Sequence, residues 1–443
     1  MGLEIIKRDY NGCVVDVAVS DISDIQFEVS RLKENKNKVH NIKTEETLNI
    51  LHLCAKKWLN RDYSKKHVEQ LARITNQSEE MVLFELEHTM QGLLKENTKK
   101  LIEEELRRED ILDNWVSTHY GLVHRQPRGL VFHNVSGNAF IVVPISIAMG
   151  LISKNVNIVK VSKDEPYFAN AFYKSLMEID ESIKERLSIV YFDSSSSDIY
   201  EYIVSNSDCV VHWGGKNSRD YMANLCAKHS VHFIEHGPKI SFEVIDKQPS
   251  IEEIKGIAID MSLWEQKACL SPRIVFLNTV IDKEQFLEQF KSCLEEINEV
   301  LPKGYYDYFS SIKTLQDRQN LFLKNIDNPK FNMFCSKNSD YTIVYSEDFP
   351  KNNEVDMCFG RFIFVCPYND KKEVIDYINT YLKGYLQTMG YCGDDLEFIE
   401  QVTLCGVSIV TKLGEMSLHK NGTSHDGIYN LSELTYVVSY QND

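Results

Sequence analysis

Leu130-Val131-Phe132-His133-Asn134-Val135-Ser136-Gly137-Asn138 is the stretch that decides the fold. Residues 130–135 are largely apolar on both faces of an extended chain and give way to Ser-Gly-Asn, so they read as a fully buried strand. Further along, the same sign recurs at residues 157–161, 188–192, 209–213 and 231–234. Helical stretches at 141–153, 167–183, 198–205 and 218–228 separate them, and the serine run at 194–197 reads as a loop. Strand, helix and strand at this pitch predict a parallel sheet covered by helices. Ligands of such sheets lie outside the carboxyl ends of the strands, so the residues just after each run are the ones to inspect.

A second series follows, with strands at 240–245, 273–277 and 361–366 and helices at 283–300 and 371–388, so a second α/β domain is expected to begin near residue 236. The first 115 residues are helix-rich. Residues 44–59 place Leu48, Leu51, Ala55 and Leu59 on one face, and residues 78–94 do the same with Val82, Leu86, Met90 and Leu93. Residues 99–110 read as a charge-dense, solvated helix, and the alternating tail at 431–440 suits an edge or oligomerisation strand. The expected division is a helix-rich part at 1–115, an α/β domain at 116–235, a second α/β domain at 236–412 and a return or oligomerisation segment at 413–443.

A chain of 443 residues is too long for one ordinary core. Its net charge of -16 repels phosphate backbones and anionic lipid, which argues against nucleic acid and membrane surfaces as partners. The longest apolar run, residues 139–152, is short of the roughly 20 residues needed to span a bilayer. Met1 to Val15 has mixed charge and no secretory pattern. The 11 cysteines are scattered without a C-x-x-C, as expected of reduced thiols in the cytoplasm, most of them small core residues.

Three segments at strand ends carry residues suited to chemistry. They are His133–Asn138 with Lys160-Val161-Ser162-Lys163, His212-Trp213-Gly214-Gly215 with Glu235-His236-Gly237-Pro238-Lys239, and Trp264-Glu265-Gln266-Lys267-Ala268-Cys269-Leu270-Ser271-Pro272. In this order they resemble the acyl-CoA reductase family of bacterial luciferase systems, a branch of the aldehyde dehydrogenase superfamily. The W-x-Q-x-A-C-x-S-P stretch resembles that family's nucleophile motif. The intervals from Lys160 to Glu235 and from Glu235 to Cys269 are close to the superfamily's. The likeness runs from about residue 125 to the C-terminus, including His425-Asp426-Gly427.

The resemblance implies an α/β, aldehyde dehydrogenase-like fold: a Rossmann-type parallel-sheet cofactor domain, an α/β catalytic domain and a small oligomerisation element. It implies NADPH-dependent reduction of a fatty acyl thioester, on coenzyme A or a protein, to the aldehyde, with coenzyme A as leaving group. An acyl-activating synthetase partner and a homo-oligomer follow from the same likeness. Cys269 would carry the acyl group. A thiolate is needed there, and a free thiol with a pKa of about 8.5 must be helped by local dipoles or charges. Ser271-Pro272 blocks a regular helix, so Cys269 is expected in a loop at the domain junction. As a structural residue it would be a small buried hydrophobe. Asn138 would supply an amide donor to the developing oxyanion, with the Cys269 N–H as the second donor. Asn134 is a rival for that role, and either asparagine suits a turn.

Glu235 ends an apolar strand, where partial desolvation is expected to raise its carboxyl pKa for proton transfer. Paired with Lys239 it would be an ordinary strand-end carboxylate. Lys160, Ser162, Lys163, Trp213, Gly214 and Gly215 are the cofactor residues. Lys160 matches the superfamily's ribose-contacting lysine. Lys163 stands where many NAD-using relatives carry a ribose-binding glutamate, which favours NADPH over NADH; in a solvated Lys-Asp-Glu turn it would mean nothing for the cofactor. Gly-Gly allows close approach of a pyrophosphate or makes a plain turn. Two residues before Phe359-Gly360 the superfamily's ribose-holding glutamate is replaced by Met357, with Asp356 as a substitute anchor. His232 and His236 have the wrong separation along a strand for a zinc pair, and no metal is expected. Two alternatives stay open: a hydrolytic NAD(P)-dependent aldehyde dehydrogenase, and a non-reducing acyl carrier or scaffold, which Met357 favours.

Overall fold

In the computed structural model, which describes residues 4–304, 308–356, 359–418 and 420–441, the run that begins at Leu130 is the central strand of a five-stranded sheet. Met357, the departure at the ribose position, lies outside the described residues. The chain forms two units: Met1–Thr75, Leu83–Pro238 and Lys420–Asp443 make one, and Asn76–Val82 with Lys239–His419 make the other.

In the first unit the parallel sheet runs Leu187–Val190, Val156–Lys160, Leu130–Asn134, Cys209–Trp213, His232–His236 across its width. The chain starts in the middle, builds outward to one edge, then returns to build the other side. The reversal falls between the strands Leu130–Asn134 and Cys209–Trp213, the point where open α/β sheets bind ligands. One face packs Leu130, Phe132, Ile158 and Val210 against Ile25, Val29 and Leu32 of the helix Ile22–His40 and against the helices Ser197–Asn206 and Lys216–His229. Val131, Cys209, Val211 and Ile234 face the other way with Leu434 from the tail. Burial on both faces explains why these strands read as continuous apolar runs.

The helix-rich opening begins with an antiparallel hairpin, Glu4–Tyr10 with Cys13–Val19. It turns through Asn11 (φ 50°) and Gly12 (φ 78°), an Asn-Gly pair suited to a two-residue turn. The charged helix lies at Lys95–Leu106 and is not merely a solvated connection: Leu101, Ile102, Glu105 and Leu106 are buried, and a Glu105 carboxylate oxygen accepts from the Leu431 N–H at 2.6 Å. The tail forms the short helix Asn430–Glu433 and the strand Thr435–Gln441, which pairs antiparallel with Gly121–Pro127. That strand is an edge of its three-stranded sheet and exposes Tyr436, Val437 and Tyr440. No helix among the described residues is long and apolar enough to cross a membrane.

The second unit is built on a seven-stranded sheet in the order Phe331–Cys335, Thr342–Ser346, Phe362–Tyr368, Pro272–Asn278, Ile240–Ile245, Leu386–Cys392, Ile409–Thr411. Only Phe331–Cys335 is antiparallel to its neighbour. Alternate residues serve two cores. Phe242, Val244, Ile274 and Phe276 face the helix Lys371–Tyr381, whereas Ile245, Val275 and Leu277 face the helices Ile251–Ser262 and Lys283–Val300. The helix expected over 371–388 stops at Tyr381. Gly384 (φ 83°) turns the chain, and the fully buried run Leu386–Cys392 becomes a strand beside Ile240–Ile245.

Candidate active site

The carboxyl edge of the parallel sheet gathers Asn138, Lys160, Ser162, Lys163, Trp213, Gly214, Gly215 and Glu235 in one unit. Cys269 belongs to the other unit.

Asn134 and His212 end adjacent strands, and at 2.9 Å the Asn134 amide nitrogen meets His212 Nδ1. His212 Nε2 faces Ser218 Oγ at 3.3 Å, and Ser218 donates to the Gly215 carbonyl. Burial depresses the His212 pKa to about 4, so its ring is neutral and accepts at Nδ1. One N–H of Asn134 thereby meets a neighbouring strand. Asn138 is exposed, and Ser136 Oγ donates to its Oδ1.

The segment after His212 suits a phosphate. A Cβ at Gly214 would stand 2.8 Å from both His212 Nε2 and Ser218 Oγ, so the backbone must be bare there. A Cβ at Gly215 would meet nothing within 4 Å. Gly215 caps the helix Lys216–His229, whose N-terminal N–H groups favour an anion. Gly137 is equally constrained, since a Cβ would meet Ser162 Oγ at 2.8 Å. Lys160 is buried, with its Nζ 5.6 Å from the Phe192 ring centre and 5.8 Å from that of Tyr200. Desolvation lowers its pKa, opposed by Asp193 and Asp164. Lys163 is exposed, and its backbone carbonyl accepts from the Tyr10 hydroxyl. These residues fit a dinucleotide.

Glu235 departs from expectation. Its side chain is 51% exposed and lies 3.6 Å from an Arg219 nitrogen, so the anticipated strand-end desolvation is not present and its neighbouring cation is Arg219. Beside it stands a cluster that the sequence reading passed over. His236 stacks on Trp213 with ring centres 3.8 Å apart. Its Nδ1 faces Asp426 Oδ2 at 2.9 Å and its Nε2 faces Asn430 Oδ1 at 3.0 Å. His425, His236 and Asp426 bring ligand-type atoms within 4.8 Å of one another. His425-Asp426-Gly427 thus has a mechanical role: Asp426 (φ 53°) and Gly427 (φ 80°) turn the tail so that its carboxylate meets the strand-end histidine. His232 likewise pairs with Glu433 at 2.8 Å. The signal available was the second histidine-carboxylate set, at 425–433.

The loop bearing Cys269 is held by unusual means. Trp264 (φ 59°), Glu265 (φ 50°) and Gln266 (φ 55°) are three successive left-handed residues, a conformation costing roughly 1–2 kcal/mol each for L-residues. Buried partners hold it. Glu265 Oε1 accepts from Arg361 Nη2 and from the Gly304 N–H, both at 3.2 Å, and its carbonyl accepts from the Gly360 N–H at 3.1 Å. Lys303 donates to the Ser339 and Gly360 carbonyls, each at 2.7 Å, and burial pulls its pKa down to about 7. Ala268 to Ser271 form a turn closed by Ser271 N–H to the Ala268 carbonyl at 3.2 Å. Ser241 Oγ donates to the Cys269 carbonyl at 2.7 Å and accepts from the Thr388 N–H at 3.2 Å. Cys269 is half-buried. Exposure alone does not single it out, because Cys405 is also half-buried and Cys335 exposed, two exceptions to the buried-core expectation. Asp356, expected as a substitute ribose anchor, lies 3.7 Å from Arg273.

The parallel sheet with its bare glycine turn and the mixed second sheet make an aldehyde dehydrogenase-like fold. Solved structures agree: an NADP-dependent enzyme of E. coli superposes with a TM-score of 0.77 at 14% identity, covering 98% of this chain and 94% of that one. A Mycobacterium tuberculosis aldehyde dehydrogenase complexed with NAD+ does so at 0.76 and 13%, covering 100% and 95%. The family model for acyl-CoA reductase (LuxC) matches residues 39–437, and the chain belongs to that family. It is therefore an acyl reductase, an aldehyde-forming oxidoreductase. Among its relatives is the long-chain acyl-protein thioester reductase of Aliivibrio fischeri, 24% identical over 424 residues, 93% of this chain and 85% of that protein. The enzyme of the same name from Vibrio harveyi is 25% identical over 420 residues, 92% and 84%.

Proposed function

We propose that the chain reduces a long-chain fatty acyl thioester, carried by coenzyme A or by a partner protein, to the aldehyde through an acyl-Cys269 intermediate, with NADPH as reductant. The observation that carries this reading is the strained, buried-polar mount that holds Cys269 at the tip of a tight turn, since backbone strain of this kind persists where a site demands it. The relatives' names supply the acyl class.

The Cys269 thiolate attacks the acyl carbonyl, and the C–S bond to the donor breaks, releasing coenzyme A or the donor thiol with the proton. Two N–H donors are assigned to the carbonyl oxygen as it gains charge, the Asn138 amide and the Cys269 backbone. Loss of one such donor costs about 2.7–4 kcal/mol in comparable sites. When bound, the dinucleotide would supply hydride to the acyl carbon of the Cys269 thioester. Cleavage of that C–S bond returns the thiolate and frees the aldehyde. Glu235, half-exposed beside Arg219, is the carboxylate assigned to move protons at the departing thiol. Lys160, Ser162, Lys163, Trp213, Gly214 and Gly215 would hold the dinucleotide, the bare turn and the helix N-terminus offering N–H groups to its phosphates. Lys163, exposed beyond the strand end, attracts a 2′-phosphate, which favours NADPH over NADH.

The exposed edge strand Thr435–Gln441 supports self-association, and cysteines scattered without a C-x-x-C support a reducing cytoplasmic setting. An acyl-activating synthetase is the partner class that would deliver the acyl group.

The test incubates the full chain with long-chain acyl-CoA and either NADPH or NADH, and repeats it with Cys269→Ala. Wild type should form aldehyde, faster with NADPH, and a mass increment of one acyl group on Cys269. Aldehyde and acyl-enzyme formed by Cys269→Ala would overturn the reading. Acid formed from aldehyde without coenzyme A would mark a hydrolytic dehydrogenase instead.

A further inference from the structure

The geometry points to Gln266 as the positioning residue for Cys269, a clasp whose side-chain amide closes the turn on both sides of the thiol. The inference rests on the reading of Cys269 as nucleophile. Gln266 is fully buried, and its amide is spent on main-chain groups alone. Its Nε2 donates to the Pro272 carbonyl and to the Phe362 carbonyl, each at 2.9 Å. Its Oε1 accepts from the Phe362 N–H at 2.6 Å.

Cys269 lies midway between Gln266 and Pro272 in the chain, so the first of these bonds spans the Cys269 turn from end to end. The other two bind the same amide to the first residue of the strand Phe362–Tyr368, in the manner of a neighbouring strand. Both backbone partners belong to sheet strands, because Pro272 opens the strand Pro272–Asn278. The turn is therefore referred to the sheet by one side chain. The Ser241 hydroxyl pins the Cys269 carbonyl from the other side.

The chemistry explains why glutamine is needed. Two carbonyls and one N–H must be met at once, and only a carboxamide offers two donors and an acceptor in one plane. Glutamate has the same shape but, ionised, presents acceptors only, and would face the Pro272 and Phe362 carbonyls with like polarity. Gln266 adopts its left-handed conformation (φ 55°) because these bonds fix it there, and release would let residues 264–266 relax to ordinary backbone and move the thiol. A displacement on the order of 1 Å at a reacting atom costs about a hundredfold in rate.

The test compares Gln266→Glu with wild type as full-length protein. Three measurements are needed: thermal melting, the pH dependence of Cys269 alkylation by iodoacetamide read by peptide mass spectrometry, and steady-state kinetics with acyl-CoA. The expected result is a folded variant with KM within about twofold of wild type, kcat reduced about a hundredfold, and a shifted alkylation pH profile at Cys269. Should Gln266→Glu not fold, Gln266→Met keeps the volume without charge and is put through the same comparison. Alkylation and kcat per folded molecule matching wild type would overturn the proposal and leave Gln266 a packing residue. Alkylation does not depend on acyl chemistry, so a Cys269→Ala enzyme that retained activity would refute the nucleophile reading while this profile still judged the clasp.

Discussion

Replacing Glu105 with glutamine should stabilise the protein above neutral pH and do little in acid. Glu105 is buried on the helix Lys95–Leu106 and accepts from the Leu431 N–H, tying the tail helix Asn430–Glu433 to the first unit. Desolvation raises its carboxyl from 4.5 to about 7, opposed by hydrogen bonds from Leu431 and Ser432 and by Arg125. A folded pKa above the unfolded one means the carboxyl's contribution is complete below about pH 4.5 and is lost as pH rises through about 7. A gap of ~2.5 units at ~1.4 kcal/mol each amounts to roughly 3 kcal/mol lost between about pH 4 and about pH 8.5. Glu105→Gln keeps the acceptor oxygen and never ionises. Its stability relative to wild type should therefore climb by roughly 3 kcal/mol across that range, or ~6–12 °C in melting temperature for a unit of this size. Urea and thermal unfolding of both proteins at about pH 4, 6 and 8.5 measures it. A difference that stays constant with pH would show that Glu105 ionises as freely in the fold as outside it, and the burial argument would fail.

The two glycines of the turn after Trp213 should separate packing from binding. Gly214→Ala, with its methyl against His212 and Ser218, should cost roughly 1–3 kcal/mol of stability. Gly215→Ala should stay within about 0.5 kcal/mol of wild type yet weaken dinucleotide binding in a fluorescence titration; unchanged affinity would remove the pyrophosphate from this turn. His133 is fully buried between Ser146 and Asn157, and desolvation lowers its pKa to about 4. Its folded pKa lies below the unfolded 6.5, so its contribution is present above about pH 6.5 and lost as pH falls through about 4. Across that window wild type should lose roughly 3 kcal/mol relative to His133→Gln, read from paired urea titrations, and parallel pH curves would contradict it.

What the chain revealed unaided is the order of apolar runs and the residues that end them. The runs later seen as Leu130–Asn134, Cys209–Trp213 and Ile240–Ile245 were legible because strands buried on both faces need near-continuous apolar sequence. The glycine pair and the W-x-Q-x-A-C stretch were legible because their residue types are constrained locally. Tertiary structure alone decided features that depend on residues distant in sequence. The Asn134 amide nitrogen met His212 on the next strand, and Glu235 was left half-exposed beside Arg219. The run Leu386–Cys392 joined the sheet rather than the preceding helix because Ile240–Ile245 offered it a partner. Glu243 sits in the middle of an apolar strand, where burial beside Asp260 raises its carboxyl pKa, and sequence around either residue gives no sign of the other. Apolar periodicity is a property of one segment. Which polar group is desolvated, paired or aimed at a ligand is a property of neighbours that only the folded chain assembles.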